Sequence, residues 1–210
     1  MQFSILFIML TNEEGQTAVQ YARHIVDSHL RHAKSSVYRL GKVFDQRLGV
    51  FVTLHTYPEH NLRGCIGIPQ PIMSLKEAIL ESAQSATRDP RFTPLEAHEL
   101  DKIIIEVTIL TKPELITVTQ PIEYLSQIEI GRDGLIVEQG YYKGLLLPQV
   151  PIEQHWEKEE FLSQTCMKAG LMPDAWFDKT TKIYKFSGQI FTEIKPHGQI
   201  KEKNLNGSNS

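Results

Sequence analysis

Residues 61–69 read NLRGCIGIP, and they place an arginine, a thiol and two glycines inside an otherwise apolar run. The preceding residues 49–56 (GVFVTLHT) are rich in residues that favour β-strands, and YPEHN between the two runs supplies turn residues. The two runs therefore predict a β-hairpin. Because glycine weakens a strand, Gly64 and Gly67 favour a bulge or the close approach of another backbone or a ligand, which marks the hairpin as a candidate site.

The centre of the hairpin turn decides which side chains share a face of the sheet. A turn centred on Glu59 predicts a core face and an opposite face that points to solvent or to a cleft. The core face carries Val50, Val52, Leu54, Gly64, Ile66 and Ile68. The opposite face carries Phe51, Thr53, His55, Arg63, Cys65 and Gly67. A shift of one residue would exchange the two faces.

The composition is that of a soluble globular protein, with 41% apolar and 22% charged residues in a chain of 210. One domain, or two closely packed subdomains, is expected at this length. The two cysteines, Cys65 and Cys166, favour a reducing compartment, so the predicted location is the cytoplasm. A net charge of −3 argues against a general nucleic-acid-binding protein and leaves a local basic groove open.

An apolar run near the start, residues 3–10 (FSILFIML), fits neither a signal peptide nor a membrane span. It lacks a basic leader and a small-residue cleavage site, and at eight residues it is too short to cross a bilayer. No later run approaches about 18 consecutive apolar residues, so no transmembrane span is predicted.

Two capping boxes predict the starts of helices. Thr11 and Glu14 open a helix that is expected to run to about residue 32, and Ser74 and Glu77 open a second helix that ends before Asp89-Pro90. One face of the second helix is expected to carry Leu75, Ala78, Ile79, Ser82, Ala83 and Ala86.

Residues 103–110 (IIIEVTIL) are the run richest in β-forming residues, and their near-continuous apolarity predicts a central strand covered on both faces. Glu106 in the middle of this run leaves two alternatives open. Its carboxylate either reaches solvent or a salt bridge at the strand's edge, or it is a buried acid that serves a site.

The following segment predicts a meander of short strands. Strands are predicted at residues 128–131, 135–139 and 144–147, with a turn at Asp133-Gly134. This meander is expected to form a smaller subdomain.

The last third of the chain predicts one helix and one strand. Residues 153–169 predict an amphipathic helix that ends at Gly170, with Trp156 and Phe161 as aromatic anchors and Cys166 on the buried face. Residues 182–194 alternate as a strand. The polar tail, residues 195–210, has too little apolar content to fold alone.

Motifs of the common enzyme classes are missing from the sequence. It has no phosphate-binding loop, HExxH pair, CxxC pair or GxSxG elbow. His55, His60 and Cys65 lie near one hairpin but lack a recognised metal-ligand spacing, so neither a metal site nor a cofactor is predicted.

LRGCIG at residues 62–67 and several later phrases resemble the AMMECR protein family. The phrases are LTNEEG, DPRF at residues 89–92, IEVTIL at 105–110, IGRDGLIVEQG at 130–140 and GLLLPQVPIEQHW at 144–156. The resemblance spans about residues 10–194, with Pro151 standing where a small residue is usual. It implies an α/β (α+β) module with a mostly antiparallel sheet, flanking helices and a cleft between two subdomains, which agrees with the elements predicted above.

The domain boundaries follow from the predicted elements and this resemblance. A single domain is expected at residues 11–194, preceded by an extension at 1–10 and followed by the tail. Its larger subdomain is expected at about 11–112 plus 152–194, and its smaller one at about 113–151. Because the resemblance starts at residues 9–11, residues 3–8 are expected to be an upstream translation artefact that is missing from the native protein.

The resemblance does not imply a reaction, so the enzyme question stays open between two hypotheses. The first is an accessory or regulatory module that binds a small anionic ligand or a protein partner, with Arg63 holding the anion. A helix N-terminus that follows the hairpin would favour an anion near Cys65. The candidate binding residues are Thr53, His55, Arg63, Gly64, Cys65 and Gly67. The resemblance also implies a link to a Memo-like protein and a radical S-adenosylmethionine enzyme in a modification system.

The second hypothesis is an enzyme that uses Cys65 as a nucleophile. His55, His60 or the distant His155 would act as the base, and Arg63 would lower the pKa of the thiol. A third possibility is that the glycines and the thiol only permit tight packing.

Overall fold

The structure, a computed structural model, describes residues 10–33 and 38–203. The helices are α1 (Asn12–Leu30), α2 (Leu75–Ala86), α3 (Tyr124–Gln127), α4 (Gln149–Glu153) and α5 (Lys158–Lys168). The strands are β1 (Gly49–Thr56), β2 (Leu62–Ile68), β3 (Ile103–Leu110), β4 (Glu114–Leu115), β5 (Asp133–Gln139), β6 (Tyr142–Leu146), β7 (Lys182–Glu193) and β8 (Ile200–Lys203). The strand pairs are antiparallel and helices flank them, so the predicted fold class is confirmed.

The chain packs as two compact units. The first comprises the residues up to Thr111 together with Gln189–Lys203, and the second comprises Lys112–Gly188. The expected boundaries differ from this division, because they placed residues 152–188 with the larger subdomain. Strand β7 contributes its first half to the second unit and its last residues to the first.

In the first unit, the strands follow the order β2-β1-β3-β7, and β8 pairs with β7. One face of this sheet packs on α1 and α2 and carries Val50, Val52, Leu54, Ile105, Val107 and Ile109. All eight residues of β3 are buried, which confirms the prediction of a central strand covered on both faces.

The predicted hairpin register is confirmed along most of its length. Val50 pairs with Ile68, and Thr53 lies opposite Cys65, as a turn centred on Glu59 requires. The register shifts between Leu54 and His55, so His55 pairs with Leu62 and not with Arg63 as the simple count predicts.

Both predicted helix starts in the first unit are confirmed. The side chains of Thr11 and Ser74 accept hydrogen bonds from the backbone three residues later, and Glu14 and Glu77 close the two capping boxes. The buried face of α2 consists of the six residues that the sequence spacing predicted. Helix α1 ends at Leu30, two residues before the expected end.

In the second unit, β5 pairs with β6 and with β7, and β4 pairs with β7. The predicted strand at residues 128–131 is wrong, because Ile128 follows α3 and the chain turns at Gly131 with a φ of 86°. The predicted turn at Asp133-Gly134 is also wrong, since both residues begin β5. Gly134 serves close packing instead: a Cβ there would lie 2.3 Å from the ring of Phe186. The hairpin turn is at Gly140, whose φ is 59°.

The single helix predicted at residues 153–169 is two helices. Helix α4 ends at Glu153, the chain passes through His155 with a φ of 56°, and α5 begins after Glu157. The predicted end is confirmed, because Gly170 follows α5 with a φ of 80°, a conformation that glycine adopts without strain.

Part of the predicted polar tail is ordered by pairing with another strand. Residues 200–203 form β8, which lies antiparallel to the end of β7. Residues 204–210 lie outside the described part of the chain. Residues 1–9, which make up most of the expected N-terminal extension, also lie outside it. None of the described helices is both long and apolar enough to span a bilayer.

Candidate functional site

Cys65 lies on β2, directly opposite Thr53 on β1. The hydroxyl of Thr53 donates a hydrogen bond to the sulphur of Cys65 over 3.3 Å. Burial raises the pKa of the Cys65 thiol above its ordinary value, although Thr53 and the nearby Arg91 act in the opposite direction. The thiol is therefore held in its neutral form at pH 7.

A turn at residues 89–92 clamps the backbone of Cys65. The Cys65 N–H donates to Asp89 Oδ2 over 2.8 Å, and Arg91 Nη2 donates to the Cys65 carbonyl over 3.2 Å. Arg91 also donates to both carboxylate oxygens of Asp89, which holds the pKa of that carboxyl well below its usual range. Since β2 is an edge strand of the sheet, this clamp satisfies backbone groups that would otherwise be open to another strand.

Arg63 is held away from Cys65 by partners of its own. Its guanidinium donates to both carboxylate oxygens of Glu99, over 2.9 and 3.0 Å, and to the carbonyl of Thr93 over 2.9 Å. This bidentate pair lowers the pKa of Glu99 against the effect of burial, so the carboxylate stays charged. The expected role of Arg63 as the holder of an anion would require this pair to open.

His55 and Glu106 are neighbours of Thr53 in the sheet. His55 lies two residues further along β1, and Glu106 pairs with Thr53 in the β1–β3 register. Glu106 is buried and accepts a hydrogen bond from Lys203 of β8 over 2.5 Å. His55 Nε2 lies 3.8 Å from Glu106 Oε1, and neither ring nitrogen of His55 has a hydrogen-bond partner among the described residues. Glu106 therefore forms the salt bridge of the first alternative while being buried, and whether it serves a site, as in the second alternative, stays a prediction.

The two glycines of the hairpin serve close packing. A Cβ on Gly64 would lie 2.4 Å from the carbonyl oxygen of Ala86 at the end of α2. A Cβ on Gly67 would lie 2.3 Å from the ring of Phe51. Both contacts would clash, so these positions admit only glycine without a shift of the backbone or ring.

The other sequence candidates do not join this cluster. His60 lies exposed in the hairpin turn, and His155 belongs to the second unit, between α4 and α5. Cys166 is fully buried on α5, as predicted, and burial raises the pKa of its thiol to about 11. No cluster of three or more potential metal-ligating side chains occurs in residues 10–33 and 38–203.

Sequence reasoning missed the residues that hold Cys65 in place. Asp89 and Arg91 are 24 and 26 positions away from Cys65 along the chain. The DPRF phrase carries Asp89 and Arg91, but we expected the N-terminus of α2 to lie near the thiol, and the clamp instead follows the C-terminus of that helix.

Comparison with known proteins supports the same fold and family. A Methanocaldococcus jannaschii protein is 54% identical over 198 residues, which cover 94% of this chain and 98% of that protein. An Aquifex aeolicus protein is 52% identical over 167 residues, covering 79% and 85% of the two chains. The crystal structure of the uncharacterized protein PH0010 from Pyrococcus horikoshii matches with a TM-score of 0.84 and 46% identity, covering 93% of this chain and 98% of that one. The AMMECR1 family model matches residues 19–191, so the chain belongs to the AMMECR1 family.

Proposed function

We propose that the chain is a protein-binding accessory module whose recognition surface lies around Thr53 and Cys65. The observation that supports this most is the way in which Cys65 is held. Its sulphur accepts a hydrogen bond from Thr53, and its backbone is clamped by Asp89 and Arg91. Groups fixed in this way lose little freedom on binding, so they suit a recognition surface.

The charges around Cys65 favour a protein partner over a small anion. Arg91 is paired with Asp89, Arg63 with Glu99, and Lys203 with Glu106. An anion would have to compete with a carboxylate for each of these cations. A protein surface can instead use the exposed part of the strand and the exposed side chain of Arg91 without breaking a pair.

A binding role also fits the chemistry of Cys65 better than nucleophilic catalysis. A cysteine nucleophile needs a depressed thiol pKa and an oriented base. Here burial raises the thiol pKa, and neither ring nitrogen of His55 makes a hydrogen bond within the described residues. The enzyme alternative therefore has less support from the geometry.

The alkylation of Cys65 by iodoacetamide should distinguish these two roles. We expect a rate that rises about tenfold per pH unit from pH 6 to 8 without a plateau, because only the thiolate reacts. Arg63→Gln should leave this profile unchanged, since Arg63 pairs with Glu99. Cys166 is the internal control and should react more slowly, because it is fully buried. A Cys65 rate that stays constant down to pH 6 would establish a reactive thiolate and contradict the binding role.

We further propose that the partner belongs to the modification system that the family resemblance implies, in the cytoplasm. Isothermal titration with a purified Memo-like protein or radical S-adenosylmethionine enzyme tests this directly. Cys65→Leu should weaken binding by at least about tenfold, because a bulkier side chain would disturb the centre of the surface. Ile72→Ala, at an exposed apolar residue of the same unit, is the matched control and should bind like the wild type. Absence of binding to both proteins, or equal affinity of Cys65→Leu, would contradict the proposal.

A further inference from the structure

The second unit carries a surface pocket of about 680 Å³ at the end of α5. Its position follows from Gly144 on β6: a Cβ there would lie 2.4 Å from the backbone nitrogen of Ala169, so only glycine lets the end of α5 approach the strand. The chain then turns at Gly170, where a Cβ would be 3.7 Å from the ring of Tyr142. Tyr142 and the turn that follows α5 thus form one side of the pocket.

Another part of the wall is a short 3-10 turn, Ala175–Phe177, which is fixed by packing and hydrogen bonds. Trp176 is buried beneath it, and the ring centroids of Trp176 and Phe177 are 3.7 Å apart. The hydroxyl of Thr181 donates to the carbonyl of Ala175 over 2.7 Å. The amide of Gln139 donates to Asp178 and to Thr181. This side of the pocket is therefore formed before any ligand arrives.

The pocket combines exposed apolar groups with negative charge. Tyr142 is 57% exposed, Met172 71% and Phe177 51%. The charged residues that line it are Asp174 and Asp178, and its described walls contain no lysine, arginine or histidine. Hydrogen bonds from Thr180 hold the pKa of Asp178 below its usual range, so that carboxylate is ionised at pH 7.

We propose that this pocket binds an arginine side chain on an apolar segment of a partner protein. The negative charge of the walls favours a cation. The exposed aromatic rings favour a cation that can also stack on a ring. A guanidinium meets both requirements, because it stacks on aromatic faces and pairs with carboxylates through its planar fork. Phe177 and Tyr142 supply the rings, and Asp174 supplies a carboxylate at the start of the 3-10 turn. This site is independent of the surface around Cys65, which belongs to the first unit.

The probe for this site is the capped peptide acetyl-Leu-Arg-Leu-amide, titrated into the full 15N-labelled chain. We expect saturable amide shifts centred on Tyr142, Gly170 and Phe177. A matched peptide with citrulline in place of arginine keeps the shape without the charge, and it should bind at least about tenfold more weakly. Equal affinity of the two peptides, or shifts that do not saturate or that centre elsewhere, would overturn the proposal.

Four variants make the assignment specific. Asp174→Asn should bring the affinity for the arginine peptide to within about threefold of that for the citrulline peptide, because the remaining carboxylate, Asp178, already accepts hydrogen bonds from Gln139 and Thr180. Phe177→Ala should weaken both peptides, and Tyr141→Ala, at a fully exposed tyrosine that does not line the pocket, should weaken neither. Unchanged binding in Asp174→Asn and Phe177→Ala together would overturn the assignment. The Cys65→Leu protein should bind both peptides like the wild type. Peptide binding therefore tests this pocket independently of whether the partner titration at the Cys65 surface succeeds.

Discussion

Replacing Arg23 with methionine should cost about 3–5 kcal/mol of unfolding free energy, since it leaves a buried carboxylate without its partner. Arg23 and Glu193 are 6% and 3% exposed, and their side chains form a bidentate pair. Arg23 also donates to the carbonyls of Leu100 and Ile103, and Glu193 accepts from the N–H of Ile105. The pair therefore connects α1, β3 and the end of β7 within the first unit.

Urea denaturation at pH 7 measures this effect as a shift of the unfolding midpoint. The matched control is Lys143→Met, which removes an ion pair with Glu138 between side chains that are 40% and 31% exposed. That variant should lose no more than about 1 kcal/mol, because exposed pairs contribute little. Glu193→Gln should also destabilise the protein, and the double variant should lose less than the sum of the two single losses. A loss below about 1 kcal/mol for Arg23→Met would show that the pair does not hold these elements together.

The contrast between this pair and the hairpin shows what the sequence can predict. The hairpin register follows from a short turn and an alternating pattern, both of which lie within 20 residues. The Arg23–Glu193 pair joins residues that are 170 positions apart, and no local pattern distinguishes Arg23 from a solvent-exposed arginine of an amphipathic helix. Local signals thus predict elements, whereas buried polar pairs depend on how distant elements meet.

The same limit applies to the candidate site. Strand alternation correctly placed Thr53 beside Cys65, because opposite residues on paired strands share a face. It also placed Arg63 near the thiol, but a long side chain can reach partners far from its own position, and the guanidinium pairs with Glu99. The bulge between Leu54 and His55 was a further local irregularity that counting residues from the turn does not reveal.

A glycine in a sequence is compatible with either a turn or close packing in a strand. The phrase Asp133-Gly134 has the composition of a hairpin turn, yet Gly134 lies in β5 because the ring of Phe186 occupies the space of a side chain. The turn lies at Gly140, where the backbone has a positive φ. Both uses require glycine for different physical reasons, so the residue type alone does not distinguish them.

The aromatic anchors of the second unit illustrate a similar correction. The sequence pattern predicted that Trp156 and Phe161 lie on one helix. Trp156 instead lies in the connection between α4 and α5 and is only partly buried. Phe161 is in the first turns of α5 and is fully buried. It packs in one core cluster with Leu135, Val137, Leu162, Cys166, Trp176 and Ile183.

Phe161→Ala should therefore cost about 3–5 kcal/mol of unfolding free energy, through lost apolar burial and the cavity that remains. Trp156→Ala should cost less, about 1–2 kcal/mol, because its ring already contacts water in the folded state. Urea midpoints of the two variants measure the difference, with Met167→Ala, at a residue of α5 that is 51% exposed, as the control. The order of the two losses is the decisive result, since periodicity alone predicts equal anchors. If Trp156→Ala cost as much as Phe161→Ala, the tryptophan would be the anchor that the sequence suggested, and α5 would depend on its connection to α4 as much as on its own buried face.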